Sequence, residues 1–404
     1  MYKSDKWWVS PYNFTEEVRR QFRFPEKIIF HDVTLRDGEQ MAGVVFNTDD
    51  KILIAKWLDE IGVDRIEAGN PAISELERKS IKAVANLGLN AKIFSLARSI
   101  KSDVDLALSC DVSGILLYSP GSELQIKQKF GWTIERAIEA PIEAALYAKS
   151  HGLYVAYTPY DTTRSDISLL KLIIQKVVEE GKVDSIAIFD TVGCINPQAM
   201  FHFVNKIREF CKVPLEVHCH NDFGLAVANT LAAVAAGVEV VHTSMNGIGE
   251  RCGNAALEEV ALGLKLLYGL DVKLKFEKFY ELSRIVEERS GVKVSVTKPI
   301  VGINAFRFEA GLVVDGIIKY PLTLEPILPE LVGQKHSVLL GKKSGKASIQ
   351  FKLKELGITA TDEEINKILE KVKREGEEKK RPLTDDEFKN IVKEIIFHEK
   401  SNFS

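Results

Sequence analysis

From residue 27 the chain repeats one unit eight times: a short β-rich apolar run, then a stretch whose apolar residues recur at helical spacing. The runs lie at 27–33 (KIIFHDV), 65–69 (RIEAG), 92–97 (KIFSLA), 114–118 (GILLY), 153–158 (LYVAYT), 185–190 (SIAIFD), 214–220 (PLEVHCH) and 239–244 (EVVHTS). Helical spacing fills the intervals, most clearly over 49–61, 141–150, 169–179, 196–209 and 225–236. Strand then helix, with no hairpin signal between strands, predicts a parallel sheet covered by helices. Eight cycles suit a closed (β/α)8 TIM barrel, whose usual length is about 250 residues, better than an open doubly wound sheet. An open nucleotide-binding sheet would also want a GxGxxG turn after its first strand, and TLRDGEQ supplies none.

The rhythm stops near residue 275, which predicts an α/β chain of four parts. These are an extension over 1–26, the catalytic barrel over 27–275, a linker or subdomain over 276–350 and a helical tail over 351–404. The region after the barrel is expected to be smaller and mainly helical, beginning with a helix over 277–290 (EKFYELSRIVEERS). Trp7, Trp8, Tyr12 and Phe14 give the extension enough aromatic surface to dock on the barrel or to cover a subunit contact. The late run KVKREGEEKKRP reads as a solvated helix and linker. With 404 residues and 45% apolar content the chain can bury a large core without staples. A net charge of −3 offers no global basic field for nucleic acid or an anionic membrane. The cysteines, five and scattered without a CxxC pair, read as reduced thiols. No apolar run approaches the ~20 residues of a membrane span, and the start lacks a signal peptide's apolar region. A cytoplasmic location is expected.

Chemistry in a barrel of this kind belongs at the carboxyl ends of the strands. His218 and His220 end the run 214–220, and residues two apart in a strand face the same side. Two inward imidazoles at that rim are satisfied either by a divalent metal or by loop carbonyls. Asp37, in the RDGEQ that follows the first run, would complete a facial set with them. Arg36 beside it would present a planar fork to a carboxylate or to a developing enolate oxygen. After the eighth run comes NGIGERCGN (246–254), whose glycines allow close backbone approach and whose Asn254 offers an amide oxygen.

DVTLRDGEQ, HCHND and NGIGERCGN, in this order and on these strands, resemble the 2-isopropylmalate, homocitrate and citramalate synthase family, metal-dependent TIM-barrel acyltransferases related to hydroxymethylglutaryl-CoA lyase. GINAF, Asp315-Gly316 and LGKKSGKA extend the resemblance to at least residue 350, and PIVG, PILPE and GKKSGKAS look nearest to the citramalate branch. The resemblance implies a divalent cation (Mg²⁺, Mn²⁺, Zn²⁺ or Co²⁺) on Asp37, His218 and His220, with Asn254 in or near its shell. It implies acetyl-CoA as co-substrate and Arg36 at the oxygen of a 2-oxo acid. Glu67 and Thr191 match positions lining the oxo-acid pocket, with a rim salt bridge and a turn-capping hydroxyl as their plainer roles. Cys252 matches a catalytic thiol of the lyase branch, although a small buried core thiol suits it better. A homodimer is implied, residues near 300–320 lying close to the partner's barrel mouth.

Two positions depart from the family pattern. Val313 stands where a histidine should help deprotonate acetyl-CoA, and Tyr160 stands at a substrate-contacting glutamate, leaving only Asp161 of an acidic pair. By chemistry alone His336, Lys342, Lys343 and Tyr160 are the substitute bases. The main reading is therefore Claisen-type condensation of an acyl-CoA with a 2-oxo acid. The alternative is a CoA-independent metal-dependent aldolase, lyase or decarboxylase, for which Val313 is no anomaly. A metal-binding relative without catalysis is the third reading, opposed by the complete residue set.

Overall fold

The computed structural model describes residues 2–397, so the end of the expected tail, 398–404, lies outside the described residues. Residues 10–294 form one compact unit; residues 2–9 and 295–397 form another.

The first unit is a closed barrel of eight parallel strands in sequential order. They are β1 (Ile29–Asp32), β2 (Arg65–Glu67), β3 (Lys92–Arg98), β4 (Gly114–Pro120), β5 (Tyr154–Tyr160), β6 (Ser185–Asp190), β7 (Leu215–Cys219) and β8 (Val240–Thr243). Closure comes from β1 pairing with β8, with His31 opposite His242 and Asp32 opposite Thr243. Each expected strand is found, its ends moved by no more than a few residues.

The helices between strands follow from local chemistry. In the helix Thr48–Ile61, Asn47 accepts a hydrogen bond from the Asp50 N–H at 2.9 Å, and Asp50 accepts from the Asn47 N–H at 3.2 Å. These reciprocal bonds satisfy two amides that the helix start would leave bare. Gly62, at φ 103, ends it in a conformation that side chains disfavour. Its inner face places Ile54, Ala55, Leu58 and Ile61 wholly out of solvent. One helix begins earlier than its periodicity suggests. It runs Ile134–Ser150, capped by the Thr133 hydroxyl, and passes through Pro141 instead of starting there. Pro141 is buried with Ala137, Ala140, Ala144 and Ala145, and this small-residue face packs the helix despite the amide that proline lacks.

In the second unit the helices Gly311–Lys319, Lys346–Glu355, Asp362–Lys379 and Asp385–Val392 surround a core that includes Val314, Ile349, Ile368, Val372 and Phe388. Thr361 and Thr384 each open a helix with a reciprocal bond to a glutamate three residues on. Trp7 and Trp8 belong to this unit: the Trp8 N–H donates to Pro326 and the Leu328 N–H to Lys6, both at 2.9 Å. Among the described residues no helix is long and apolar enough to cross a membrane.

Candidate active site

The chain turns sharply on leaving β1. The Val33 carbonyl accepts from the amides of Arg36 (3.2 Å), Asp37 (2.9 Å) and Gly38 (3.0 Å), which aims both charged side chains over the barrel end. Arg36 is then bound on several sides. Its Nε and Nη2 donate to the two oxygens of Glu67 at 2.8 and 3.1 Å. Its Nη1 donates to Asp37 at 2.7 Å and to Gln40 at 2.8 Å. A guanidinium carries five N–H groups, so one on Nη2 is left over.

The other oxygen of Asp37 accepts from Asn254 Nδ2 at 2.7 Å and lies 3.4 Å from His220 Nε2. His218 joins them from β7, and single ligand atoms of Asp37, His218 and His220 all lie within 4.8 Å of one another. The ring nitrogens of both histidines and the Asn254 Oδ1 are buried without a hydrogen-bond partner. Orphaned polar atoms of this kind are rare unless a ligand satisfies them. This donor set, one carboxylate, two imidazoles and an amide oxygen, could hold a divalent cation.

Local backbone makes the convergence possible. A Cβ on Gly249 would meet Asn254 Nδ2 at 2.3 Å and Asp37 Oδ2 at 2.8 Å, so only glycine lets this loop lie against the cluster. The field is strong. Burial would raise the Asp37 carboxyl, yet Arg36 and the histidines outweigh it and hold the group well below the usual carboxylate range. Burial, reinforced by His220, pushes His218 well below an ordinary imidazole, so it presents neutral nitrogens.

Next to the cluster is a cavity of about 170 Å³ reached by Arg36, Asp37, Tyr118, Lys129, Tyr160 and Glu250. Lys129 Nζ lies 4.6 Å over the Tyr160 ring. Thr191 and Asp161 are not among the residues lining it. The Thr191 hydroxyl accepts the Asp161 N–H at 3.0 Å, and the Asp161 carboxylate accepts from Ser122 at 2.6 Å and Arg164 at 2.8 Å. His336, Lys342 and Lys343 belong to the second unit, paired with Glu325, Glu377 and Glu309. Val313 is half-buried on the helix Gly311–Lys319. Cys252 corrects an expectation: it is exposed, in the loop after β8 where Arg251 takes a positive φ of 59.

Within the barrel lies a polar layer. Glu216 on β7 accepts from Arg65 at 2.9 Å and Ser185 at 2.6 Å, and its second oxygen is 2.8 Å from His242 Nε2. His242 stacks on His31 at 4.4 Å, and His31 Nε2 lies 3.6 Å from Glu67.

Residues 27–286 match the HMGL-like family, and 300–380 match the family described as homocitrate synthase post-HMGL domain-like. This chain belongs to the HMGL-like family. The homocitrate synthase AksA of Methanothermobacter thermautotrophicus is 44% identical over 390 residues, 96% of this chain and 98% of that protein. The (R)-citramalate synthase CimA of Methanocaldococcus jannaschii is 46% identical over 364 residues, 90% of this chain and 74% of that protein. The 2-isopropylmalate synthase of the same organism is 44% identical over 385 residues, 94% of this chain and 74% of that protein. The HMG-CoA lyase of Bacillus subtilis shares the fold, with a TM-score of 0.59 at 21% identity over 67% of this chain and 96% of that one.

In this HMGL-like chain the polar layer was the part that sequence reasoning passed over, although a signal existed. Glu216, His218 and His220 alternate along β7 and so share the barrel's inner face. The layer has a pH signature. Burial and then His242 push His31 down from 6.5 to about 4. Between those values the unfolded chain binds a proton that the folded chain refuses, so stability falls as pH drops from about 6.5 to 4, by up to about 3 kcal/mol. Asp32 acts oppositely: burial pushes it up to about 7, and stability is lost as pH rises toward that value. Urea unfolding across this range should show a flatter acid arm for His31→Phe than for the parent. Parallel curves would contradict the assignment.

Proposed function

We propose that this chain carries out a metal-dependent Claisen condensation of acetyl-CoA with a 2-oxo acid, giving a 2-hydroxy di- or tricarboxylate. One observation carries the metal half of the reading: the partnerless nitrogens of His218 and His220 and the Asn254 Oδ1 converge with Asp37 in a buried cluster. Asp37, His218 and His220 would hold the ion, with Asn254 beside them. A divalent cation there would supply Lewis-acid polarisation of the oxo acid's ketone. Relatives named as homocitrate, citramalate and 2-isopropylmalate synthases match nearly the whole chain and support condensation over the CoA-independent lyase reading.

The chain's own groups then have definite tasks. The unspent N–H of Arg36 meets the oxo acid's oxygen as negative charge grows on it, and Glu67 fixes the guanidinium so that no reorganisation is needed. The acetyl methyl loses a proton and attacks the ketone carbon, the alkoxide takes up a proton, and water hydrolyses the thioester to release CoA thiol. Val313 accepts no proton, so another group removes the first one. Tyr160, raised by burial, stays protonated and acts as a donor at the cavity. Thr191 and Asp161 shape the rim through their mutual hydrogen bond. Lys129 is a second cation at the cavity and suits a second carboxylate, which favours 2-oxoglutarate over pyruvate or 2-oxoisovalerate.

The exposed Leu312 and Ile318, 86% and 50% accessible, lie on one short helix and suit coverage by a second copy, as in a homodimer. Sedimentation should give the dimer mass at micromolar concentration; a monomer there contradicts this part. The activity test is thiol release from acetyl-CoA with the three oxo acids, run beside a screen for CoA-independent cleavage. We expect metal-dependent thiol release, fastest with 2-oxoglutarate, and a KM for that acid raised in Lys129→Met. Asp37→Ala and His218→Ala should lose both turnover and bound metal. Cleavage without thiol release would overturn condensation, and undiminished metal in either variant would overturn the ligand set.

A further inference from the structure

The barrel's polar layer has no task in the chemistry described so far, yet it touches that chemistry at one point. Glu67 spends both oxygens on Arg36, and His31 Nε2 stands 3.6 Å from its Oε2. His31 is itself confined. Its ring stacks on His242 at 4.4 Å and meets the edge of Phe94 at 5.2 Å. His242 is pinned by Glu216, which Arg65 and Ser185 hold in turn. Arg65 lies 5.0 Å from the Phe94 ring centre and 4.5 Å from that of Tyr154. His31, Glu67, Glu216 and His242 are wholly out of solvent, and Arg65 nearly so.

Barrel interiors are ordinarily filled with branched aliphatic side chains, and buried charges are costly unless every partner is in place. The ligand atoms of His31, Glu216 and His242 also lie within 4.8 Å of one another, as a second cation site would require. The donors argue otherwise. Both Glu216 oxygens are already bonded, one of them by a guanidinium that would repel a cation at that distance.

We propose that His31 is a positioning residue for Arg36, acting through Glu67, with His242 and Glu216 as the prop behind it. His31 Nε2 faces Glu67 Oε2 at 3.6 Å, longer than a hydrogen bond and so an electrostatic and packing contact, while Arg36 bonds both oxygens of the same carboxylate; the confined ring limits how far that carboxylate can turn, and the guanidinium follows it. Displacement of a catalytic donor by about an ångström can cost a hundredfold in rate, so a rigid support at this point has a functional return. The inference rests on the reading that Arg36 meets the oxo acid.

The test substitutes His31→Phe, which keeps a ring in the stack and removes the polar contact. The direct readout is the Arg36 Nε–H signal in arginine-labelled protein, identified by its absence in Arg36→Lys. We expect that signal to broaden or move in His31→Phe with bound metal unchanged. We expect kcat to fall about tenfold, the lower end of what losing an outer supporting contact costs at metal sites, with the KM for acetyl-CoA unchanged. His31→Gln, whose amide can donate to Glu67, should restore most of both. An Arg36 signal identical to the parent's would overturn the proposal, whatever the activity. If His31→Phe does not fold, His242→Phe removes the prop while leaving His31 in place, and the same signal decides. Because the spectroscopic readout needs no turnover, it separates failure here from failure of the condensation reading.

Discussion

The guanidinium of Arg36 lies between two carboxylates, Glu67 at 2.8 and 3.1 Å and Asp37 at 2.7 Å, and all three groups are buried. Burial alone would raise both carboxyls, and the guanidinium is the strongest of the influences that hold them down. The pairing leaves one Asp37 oxygen for Asn254 and His220 while the other is held still. Removing Arg36 would strand two charges, a loss on the order of 3–5 kcal/mol for a broken buried pair. Replacing Glu67 would free the fork to swing. Asp37, Arg36, Glu67, His220 and Asn254 thus form one electrostatic unit, built from the ends of β1 and β2 and completed by β7 and the loop after β8, and the proposed cation and oxyanion sites share it.

That unit explains why the loop after β8 is so constrained. Gly249 must approach both Asn254 and Asp37 within distances that a side chain forbids, and Gly253 at φ 90 sits where a Cβ would strike the Gly247 carbonyl. Beneath it, the polar layer within the barrel replaces apolar packing with bonds from Arg65 and His242 to Glu216 and with the His242–His31 stack, which stands 3.6 Å from Glu67. Such a layer lowers acid stability, because His31, Glu67 and Glu216 all have carboxyl or imidazole groups held below their usual ranges.

Much of this was readable in the residues. Strand and helix alternate with distinct periods, so the eightfold rhythm exposed the barrel, and RDGEQ, HCH and NGIGERCGN fell at strand ends where rim chemistry belongs. Periodicity handled Pro141 poorly, because it registers the break in hydrogen bonding and not the buried alanine face that compensates it. Thr191 and Asp161 carried polar character in the right place, but their bonding to each other, to Ser122 and to Arg164 depends on the juxtaposition of β4, β5 and β6 loops. The polar layer was hardest, since Arg65 and Glu216 are 151 positions apart and meet only through barrel closure.

The central claim is that one divalent cation belongs at the rim cluster and none in the layer where His31 and His242 stack. Anomalous diffraction from crystals soaked with Mn²⁺ measures this directly. The account predicts a single strong peak bounded by Asp37, His218 and His220. A peak among His31, Glu216 and His242, or none at the rim, would contradict it.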